Sequence, residues 1–328
     1  MTTFDMPAPA DVRSAAQALD GVAIRTPLLR SARLSRITGS EVFIKLESLQ
    51  HTGAFKFRGA YNCLSRLKPD DCPDGVLAYS TGNHGQAIAT VARLLGLRAK
   101  VVMPEDAPAV KIEKARKQGA EIVLYNRTRE SREDIARRIS DTGRYTTVPP
   151  GDHPHVIAGQ GTVAFEALAE FGEDRIDTII VPCGGGGLAA GTCLARDALA
   201  SHADVWVAEP SAFDDTRRSL ASGRRETNAP GVTSICDALL APTPAELPFA
   251  INKIGVARAI SATDEQVMAA MKLLYEEFRV AVEPGGAVAV AAVMREPSLL
   301  PKKGHVIIVA SGGNVDADLF AAAISQAV

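Results

Sequence analysis

One apolar run of the sequence leads into four consecutive glycines and then into an alanine-rich stretch, in DTIIVPCGGGGLAAGTCLA. Glycine permits a tight turn and close approach of the backbone, and a helix start points free N–H groups at a bound anion. Gly184, Gly185, Gly186 and Gly187, followed by Leu188, therefore predict a phosphate-binding loop between a strand and a helix. A turn whose small residues serve packing alone is the alternative.

The same loop also fits part of a dinucleotide-binding pattern. Gly185, Gly187 and Ala190 satisfy G-x-G-x-x-A after a strand, and Glu209 ends the next predicted strand, where an acid would bind a ribose. No Lys-Ser or Lys-Thr follows the glycines, so the nucleotide P-loop pattern fails. On this motif alone, a nicotinamide-dependent oxidoreductase stays open as an alternative.

Two further strand-to-helix turns carry polar side chains. In VLAYSTGNHGQAIA, the residues Ser80, Thr81, Asn83 and His84 lie before a predicted helix, where their donors suit a carboxylate. In HVIIVASGGNVDADLF, Ser311 begins the turn. Helix capping alone could explain the serines or Asn83, and a lone histidine is more often structural than catalytic. The three turns follow strand carboxyl ends, so we expect them to face one crevice.

The segment HTGAFKFRGA places Lys56 between two phenylalanines at the start of a predicted helix. Aromatic neighbours and a helix start both disfavour the ammonium form, so a lowered pKa and a nucleophilic amine are expected. Most lysines are solvated surface residues. Lys56 therefore gains chemical meaning only from the motifs that accompany it.

Short β-branched runs alternate with longer helical patterns and would position these residues. The runs are EVFIKLE, VLAY, AKVVM, EIVL, DTIIVP, DVWVAE and HVIIVA. Their alternation with helices predicts βαβ units, and hence an α/β fold with parallel sheets flanked by helices. We expect a larger domain from residues 1–74 and 152–328 and a smaller one from residues 75–151, which closes over substrate.

Composition narrows the function classes. The chain has 328 residues, 46% of them hydrophobic, which suffices for a large core or two intimate domains. A net charge of -2 gives no sign of a nucleic-acid partner. The sequence contains no signal-like segment and no apolar run of membrane-spanning length, so a cytoplasmic protein is expected. Five cysteines without a C-x-x-C pair favour free thiols.

The motifs TGAFKFRGA, STGNHGQA, VPCGGGGLAAG and VASGGNVD, in this order and spacing, resemble the fold-type II pyridoxal-phosphate (PLP) enzymes of the serine/threonine dehydratase and serine racemase group. The resemblance covers nearly the whole chain and displaces the oxidoreductase interpretation. It implies a fold like the tryptophan synthase beta subunit, a homodimer and a small amino-acid substrate. It also implies the cofactor contacts: Lys56 would carry PLP, Phe55 would pack on its ring, Asn83 would bond the ring hydroxyl, Gly184 to Gly187 with Leu188 would bind the phosphate, and Ser311 would face the ring nitrogen.

The resemblance further implies β-elimination from a small β-hydroxy amino acid, with Lys56 as general base: water leaves, and the resulting imino acid becomes a keto acid with release of ammonia. A neutral Ser311 opposite the ring nitrogen favours prompt elimination over a long-lived carbanion. Serine racemases have a serine where this chain has Thr81, whose methyl group crowds the site. Racemisation is therefore expected to be minor. A serine or aspartate racemase and a non-catalytic amino-acid sensor of the same fold stay as alternatives.

By the same resemblance, Ser80, Thr81, Asn83 and His84 would bind the substrate α-carboxylate. Arg132 matches an arginine that reaches the active site in serine racemases and would pair with a second carboxylate, which makes 3-hydroxyaspartate the expected substrate over serine or threonine. A solvated helix face is the alternative for Arg132. Ser234 matches a substrate-contacting serine, but its segment PGVTSICDALLAP departs from the common dehydratase pattern at Asp237 and is also similar to hydroxyectoine-utilization dehydratases.

The stretch VAEPSAFDDTRRS matches the divalent-metal site of the racemase group. The resemblance gives Glu209 and Asp215 as carboxylate ligands, with the carbonyl oxygen of Phe213 between them. Hard oxygen ligands suit magnesium or calcium. An acidic helix start favoured by the helix dipole would explain the same residues without a metal.

Overall fold

The computed structural model describes residues 5–80, 82–105, 109–126, 129–142, 144–172, 175–199 and 201–325. Its strands within these ranges are, in chain order, β1 (Leu28–Arg30), β2 (Glu41–Leu46), β3 (Gly75–Tyr79), β4 (Ala99–Pro104), β5 (Glu121–Tyr125), β6 (Tyr145–Thr147), β7 (Thr178–Pro182), β8 (Asp204–Pro210), β9 (Val256–Ala262) and β10 (His305–Ala310).

Helices separate most of these strands along the chain. They are, in chain order, α1 (Pro9–Leu19), α2 (Ala32–Thr38), α3 (Lys56–Leu64), α4 (Asn83–Leu94), α5 (Ala109–Lys117), α6 (Arg132–Ser140), α7 (Pro154–Phe171), α8 (Gly187–Ala198), α9 (Asp215–Ser222), α10 (Glu246–Gly255), α11 (Asp264–Phe278), α12 (Pro284–Arg295) and α13 (Ala317–Ile324). Short 3-10 turns lie at Glu47–Leu49, His51–Gly53, Pro69–Asp71, Asp237–Leu239 and Pro297–Leu299.

The strands form two sheets. The larger has the order β1-β2-β10-β7-β8-β9 and is parallel except for the pair β1 and β2. The smaller has the order β5-β4-β3-β6 and is parallel throughout. The predicted α/β fold with parallel sheets flanked by helices is therefore confirmed. The antiparallel edge strand β1 was not predicted.

Helices cover both faces of the larger sheet. Apolar side chains of α11 and α12 pack on one face, and those of α1, α7 and α8 pack on the other. Every residue of β7 is buried as a result. A parallel strand covered on both sides reads as a continuous apolar run, which is why TIIVP was recognisable in the sequence.

The smaller sheet lies between two layers of its own. Helices α3, α4 and α5 share a core with one face, and α6 packs on the other face against Leu77, Val102 and Tyr125. All strands of this sheet fall between Gly75 and Thr147. The division into a domain of residues 75–151 and one of residues 1–74 and 152–328 stays a prediction.

Two further properties concern membrane spans and cysteines. No helix within the described ranges is long and apolar enough to cross a bilayer. The five cysteines are free thiols, and all of them are buried.

Candidate active site

The polar turns that follow β3 and β10 meet beside Lys56. The main-chain N–H of Phe55 donates to the carbonyl oxygen of Ser311 over 3.0 Å. In the same turn, Nδ2 of Asn314 donates to Oδ1 of Asn83 over 2.8 Å. These two bonds bring the start of α3, the turn after β10 and the turn after β3 into one place.

Lys56 is the first residue of α3, as predicted, and its amine is buried. Its Nζ donates to the carbonyl oxygen of Pro150 over 2.6 Å and lies 5.0 Å from the ring centroid of Phe55. Burial lowers the pKa of Lys56 to about 8, because the ammonium form loses its hydration. A substantial fraction of this amine is therefore neutral near physiological pH, and the neutral form is the nucleophile.

The glycine loop lies between β7 and α8, where the sequence predicted it. Gly186 has a φ of 92°, a left-handed conformation that side chains rarely adopt. Within the part of the chain that the structure describes, the N–H groups of the four glycines have no hydrogen-bond acceptor. Unpaired donors at the positive end of a helix form a cradle for an anion such as phosphate. Leu188 follows, buried in the first turn of α8.

The segment between β6 and α7 joins this loop to Lys56. Pro150 accepts the hydrogen bond of Lys56, and the next residue, Gly151, packs on Gly187. A Cβ atom on Gly187 would lie 3.1 Å from the Cα of Gly151, so the backbones touch without a side chain between them. All three predicted turns are therefore connected to the lysine. Pro150 and Gly151 were not among the predicted site residues.

The amide of Asn83 is held from both ends. Its Nδ2 donates to Oε1 of Glu283 over 2.6 Å, while its Oδ1 accepts from Asn314. Asn314 also donates to the carbonyl oxygen of Thr52 over 2.7 Å. Glu283 is only 3% exposed and directly precedes α12. Glu283 was not among the predicted site residues; the available signal was an acid directly before the Pro-Gly-Gly start of α12.

His84 provides no side-chain donor to this crevice. Its ring is 2% exposed, and Nε2 donates to the carbonyl oxygen of Val148 over 2.8 Å. Burial, assisted by the charge of Lys56, lowers the pKa of His84 to about 3, so the ring is neutral and Nδ1 is an acceptor. The predicted contact of His84 with a carboxylate can therefore be made only by its main-chain N–H. Ser80 accepts at Oγ from the N–H of Gly82 over 3.3 Å, and Thr81 lies outside the described residues.

Arg132 lies beside the end of β3, next to the turn that begins at Ser80. It begins α6, its side chain is 43% exposed, and its Nε donates to Glu133 over 2.7 Å. Its guanidinium carbon lies 5.8 Å from the ring centroid of Tyr79, the residue that immediately precedes the turn of Ser80. The predicted arginine is thus close to the proposed carboxylate site and still partly in solvent.

Ser234 is engaged elsewhere. Its hydroxyl donates to Oδ1 of Asp264 over 2.5 Å and accepts from the N–H of Cys236 over 3.1 Å. Asp264 is the first residue of α11. Among the described residues no hydrogen bond joins Ser234 to Lys56 or to the three turns, so the geometry gives its predicted substrate contact no support.

Beneath Lys56, a buried ion network anchors α3 to its surroundings. Arg58, 2% exposed, lies 2.8 Å from carboxylate oxygens of both Glu47 and Glu166. Lys45, which is fully buried, donates to Glu166 over 2.8 Å and to the carbonyl oxygen of Thr26 over 2.7 Å. Two cations and two carboxylates therefore compensate one another in the interior, next to the residue that carries the reactive amine.

The carboxylates predicted to bind a metal lie at the end of β8 and the start of α9. The two oxygens of Glu209 accept from the N–H groups of Thr216 and Arg217, each over 2.8 Å. Burial, followed by the charge of Asp215, raises the pKa of Glu209 to about 8. Burial also raises the pKa of Asp215 to about 6. Both carboxylates would therefore gain from a nearby cation.

One atom at this place is short of a partner. Oδ1 of Asp215 accepts from Asn228 over 2.6 Å, whereas the buried Oδ2 has no hydrogen bond within the described part of the chain. Within the described residues, no group of three or more His, Cys, Asp or Glu side chains could hold a metal. The donors fit a hard cation only if main-chain oxygen, such as the carbonyl of Phe213, and water complete its shell.

Comparisons with known proteins point to one family. The family model described as "Pyridoxal-phosphate dependent enzyme" matches residues 19–312. The L-threo-3-hydroxyaspartate ammonia-lyase of Saccharomyces cerevisiae is 40% identical, over 98% of this chain and 97% of its own length. The serine racemase of Schizosaccharomyces pombe is 38% identical, over 96% of this chain and 97% of its own. The crystal structure of serine racemase from Dictyostelium discoideum has a TM-score of 0.89 at 35% identity, covering 95% of this chain and 100% of that chain.

Proposed function

The chain belongs to the pyridoxal-phosphate dependent enzymes, and from this premise we propose that it is an ammonia-lyase that eliminates the β-hydroxyl group of 3-hydroxyaspartate. The buried amine of Lys56 supports this function best: its pKa is about 8, and the three polar turns converge on it. The yeast relative that carries the name L-threo-3-hydroxyaspartate ammonia-lyase supports the substrate class.

The residues around Lys56 fit PLP. The unpaired N–H groups of the glycine loop would hold its phosphate, together with Leu188. Phe55 and Asn83 would contact the ring, and Ser311, 4% exposed, would face the ring nitrogen. When bound, PLP supplies a sink for the electron pair left behind as the substrate α-proton departs.

The chain's own groups then perform the remaining steps. Ser80, Asn83 and the free N–H groups at the start of α4 hold the substrate α-carboxylate. The amine of Lys56, once the substrate amine has displaced it, removes the α-proton as general base. The β-hydroxyl takes up a proton and leaves as water, and the amine of Lys56 then displaces the amine of the product. The released enamine tautomerises to an imine, which water hydrolyses to a keto acid and ammonia. Thr81, by the chemistry of its hydroxyl, is proposed as a poor second acid/base, so racemisation stays minor.

Arg132 is proposed to choose the substrate. Its guanidinium, next to Tyr79 at the end of β3, can reach a second carboxylate when the smaller domain closes over the crevice. Serine and threonine have no such group. The preference for 3-hydroxyaspartate would therefore come from one charge-assisted contact at the rim.

A visible spectrum of the purified protein and an assay of keto acid and ammonia release test the function. We expect a yellow protein that turns over L-threo-3-hydroxyaspartate faster than serine or threonine. The variant Lys56→Ala should lose the bound colour and lower kcat by at least about 1,000-fold, because the covalent attachment and the base are lost together. Lys68→Ala, at an exposed position, is the matched control. A Lys56→Ala protein with full activity would exclude the proposed mechanism.

We also propose a magnesium or calcium ion at Glu209, Asp215 and the carbonyl oxygen of Phe213, supported by the buried, unpartnered Oδ2 of Asp215. The protein is further proposed to be a cytoplasmic homodimer. Light scattering coupled to size-exclusion chromatography tests the dimer, and cell fractionation tests the location.

A further inference from the structure

Helix α10 and the residue before it hold the glycine loop from outside. The N–H of Ala245 donates to the carbonyl oxygen of Gly185 over 3.1 Å. About two turns further along α10, Nδ2 of Asn252 donates to the carbonyl oxygen of Gly186 over 3.2 Å. The motifs that identify the family contain neither Ala245 nor Asn252.

These two bonds determine where the loop donors point. In a planar trans peptide, the C=O of one residue is antiparallel to the N–H of the next. Fixing the carbonyl of Gly185 therefore aims the N–H of Gly186, and fixing the carbonyl of Gly186 aims the N–H of Gly187. Asn252 thus acts on the donor at the first residue of α8, where the helix dipole favours an anion.

Within the described residues, the hydrogen bond to Gly186 is the polar contact that the side chain of Asn252 makes. The side chain is 1% exposed, and its buried Oδ1 has no hydrogen-bond partner among the residues that the structure describes. A carbonyl oxygen only accepts, so the amide must present Nδ2 to Gly186. A buried, unpaired oxygen is unfavourable. An apolar side chain of similar size would avoid this cost, but it could not donate the hydrogen bond to Gly186.

The glycine loop and α10 are tightly packed at Gly186. A Cβ atom on Gly186 would lie 2.7 Å from Nδ2 of Asn252 and 3.2 Å from the Cβ of Pro248. The loop therefore lies directly on the helix, and a change in the side chain at position 252 is transmitted to the peptide that bears the N–H of Gly187.

We propose that Asn252 is a positioning residue for the phosphate loop, which orients the peptide between Gly186 and Gly187 so that its N–H meets the phosphate group of PLP. The inference rests on the PLP-dependent function proposed above and adds to it a residue that touches the loop from its far side. Its effect should depend on the phosphate group, because among the described residues the hydrogen bond of its side chain goes to the glycine loop and none joins it to Lys56 or to the residues assigned to the cofactor ring.

The test compares two ligands that differ only in the phosphate. The cofactor-free full chain is titrated with PLP and with pyridoxal, following the visible absorbance of the bound aldehyde. Asn252→Ala should raise the Kd of PLP by about tenfold and that of pyridoxal by less than about twofold. Asn252→Asp, which keeps the shape but places a carboxylate oxygen against the Gly186 carbonyl and near the phosphate, should raise the Kd of PLP by about a hundredfold.

Lys253→Ala is the control on the same helix, since its Nζ donates to the carbonyl oxygen of Gly223 at the surface, away from the loop. It should change neither Kd. Equal weakening of PLP and pyridoxal by the Asn252 variants, or no weakening of PLP, would overturn the inference. If Asn252→Ala does not fold, the isosteric Asp variant decides in the same way. A wild-type chain that binds no PLP refutes the proposed function itself, a different outcome from equal binding by every variant.

Discussion

At the scale of the residue, Lys56 is unusual because its amine is buried beside the ring of Phe55 and donates to one main-chain oxygen, that of Pro150. Its pKa lies near 8 because burial disfavours the charged form. The unfolded chain therefore binds more protons than the folded one between pH 8 and the ordinary lysine pKa of about 10.4. Without cofactor, this residue should make the fold more stable as the pH rises through that window.

The same pKa predicts the pH dependence of cofactor attachment. The rate at which the cofactor-free protein takes up pyridoxal should rise with pH and level off above about pH 8, because only the neutral amine attacks the aldehyde. Stopped-flow absorbance between about pH 6 and 10 measures this. A rate that continues to rise tenfold per pH unit up to about pH 10 would show that Lys56 has an ordinary pKa.

A second prediction at this scale concerns Arg132. Arg132→Ala should lower kcat/KM for L-threo-3-hydroxyaspartate by roughly 10- to 100-fold, the value of one charge-assisted hydrogen bond, and should change kcat/KM for serine far less. Arg137→Ala, on the same helix and 68% exposed, is the matched control. Equal losses with the two substrates would mean that Arg132 supports the helix and has no role in substrate choice.

At the scale of the element, the sequence predicted the long, buried strands and missed the short ones. The seven β-branched runs correspond to β2, β3, β4, β5, β7, β8 and β10. Strands β1 and β6 have three residues each, too few for an alternation pattern, and β9 begins directly where α10 ends.

The site shows the same limit. Lys56 and the three turns were predicted because each motif is local in sequence. Glu283 and Asn252 were missed because their partners, Asn83 and Gly186, are 200 and 66 residues away. A contact of this kind depends on how elements pack, and no local pattern of residue types carries it. Ser234 was chosen by resemblance, and its hydrogen bond to Asp264 could not be foreseen for the same reason.

The element-scale prediction concerns the anchor of α3. Glu47→Ala should lower the free energy of unfolding by about 3–5 kcal/mol, because it leaves the buried Arg58 without one of its two carboxylates. Glu41→Ala, which removes an exposed partner of Arg30, should have little effect. Urea denaturation of the two variants measures the difference. A small effect of Glu47→Ala would show that Glu166 alone compensates the guanidinium.

At the scale of the whole molecule, the hydrogen bonds of Asn83 cross between the predicted domains. Asn83 belongs to the smaller one, whereas Glu283 and Asn314 belong to the larger. A closing motion should therefore pivot near the start of α4, and the edge strand β5 should move most.

Hydrogen exchange with succinate, an unreactive dicarboxylate, tests this motion. If residues 75–151 close over the ligand as proposed, succinate should slow amide exchange in α6 and in the turn after β3 and leave α11 and α12 unchanged. The Arg132→Ala variant should show less protection. Uniform protection of the whole chain would argue for simple stabilisation without closure.

Metal removal gives a further prediction for the molecule as a whole. A chelator should lower Tm by about 3–8 °C if the Kd of the ion lies well below the free concentration of that ion in the untreated sample. Asp215→Asn should lower Tm in the untreated protein and abolish the response to the chelator, whereas Asp237→Asn should keep the response. An unchanged Tm with chelator would contradict the metal site and would mean that Glu209 and Asp215 only stabilise the start of α9.

The five buried cysteines make the enzyme convenient for labelling. Burial raises the pKa of Cys63, Cys193 and Cys236 to about 12 each, and the thiolate is the form that alkylating reagents attack. A maleimide dye should therefore react very slowly with these native thiols at neutral pH. New cysteines at the exposed positions Arg137 and Arg295 would accept a donor and an acceptor dye without prior removal of any native cysteine, so that opening and closing could be followed on single molecules by energy transfer.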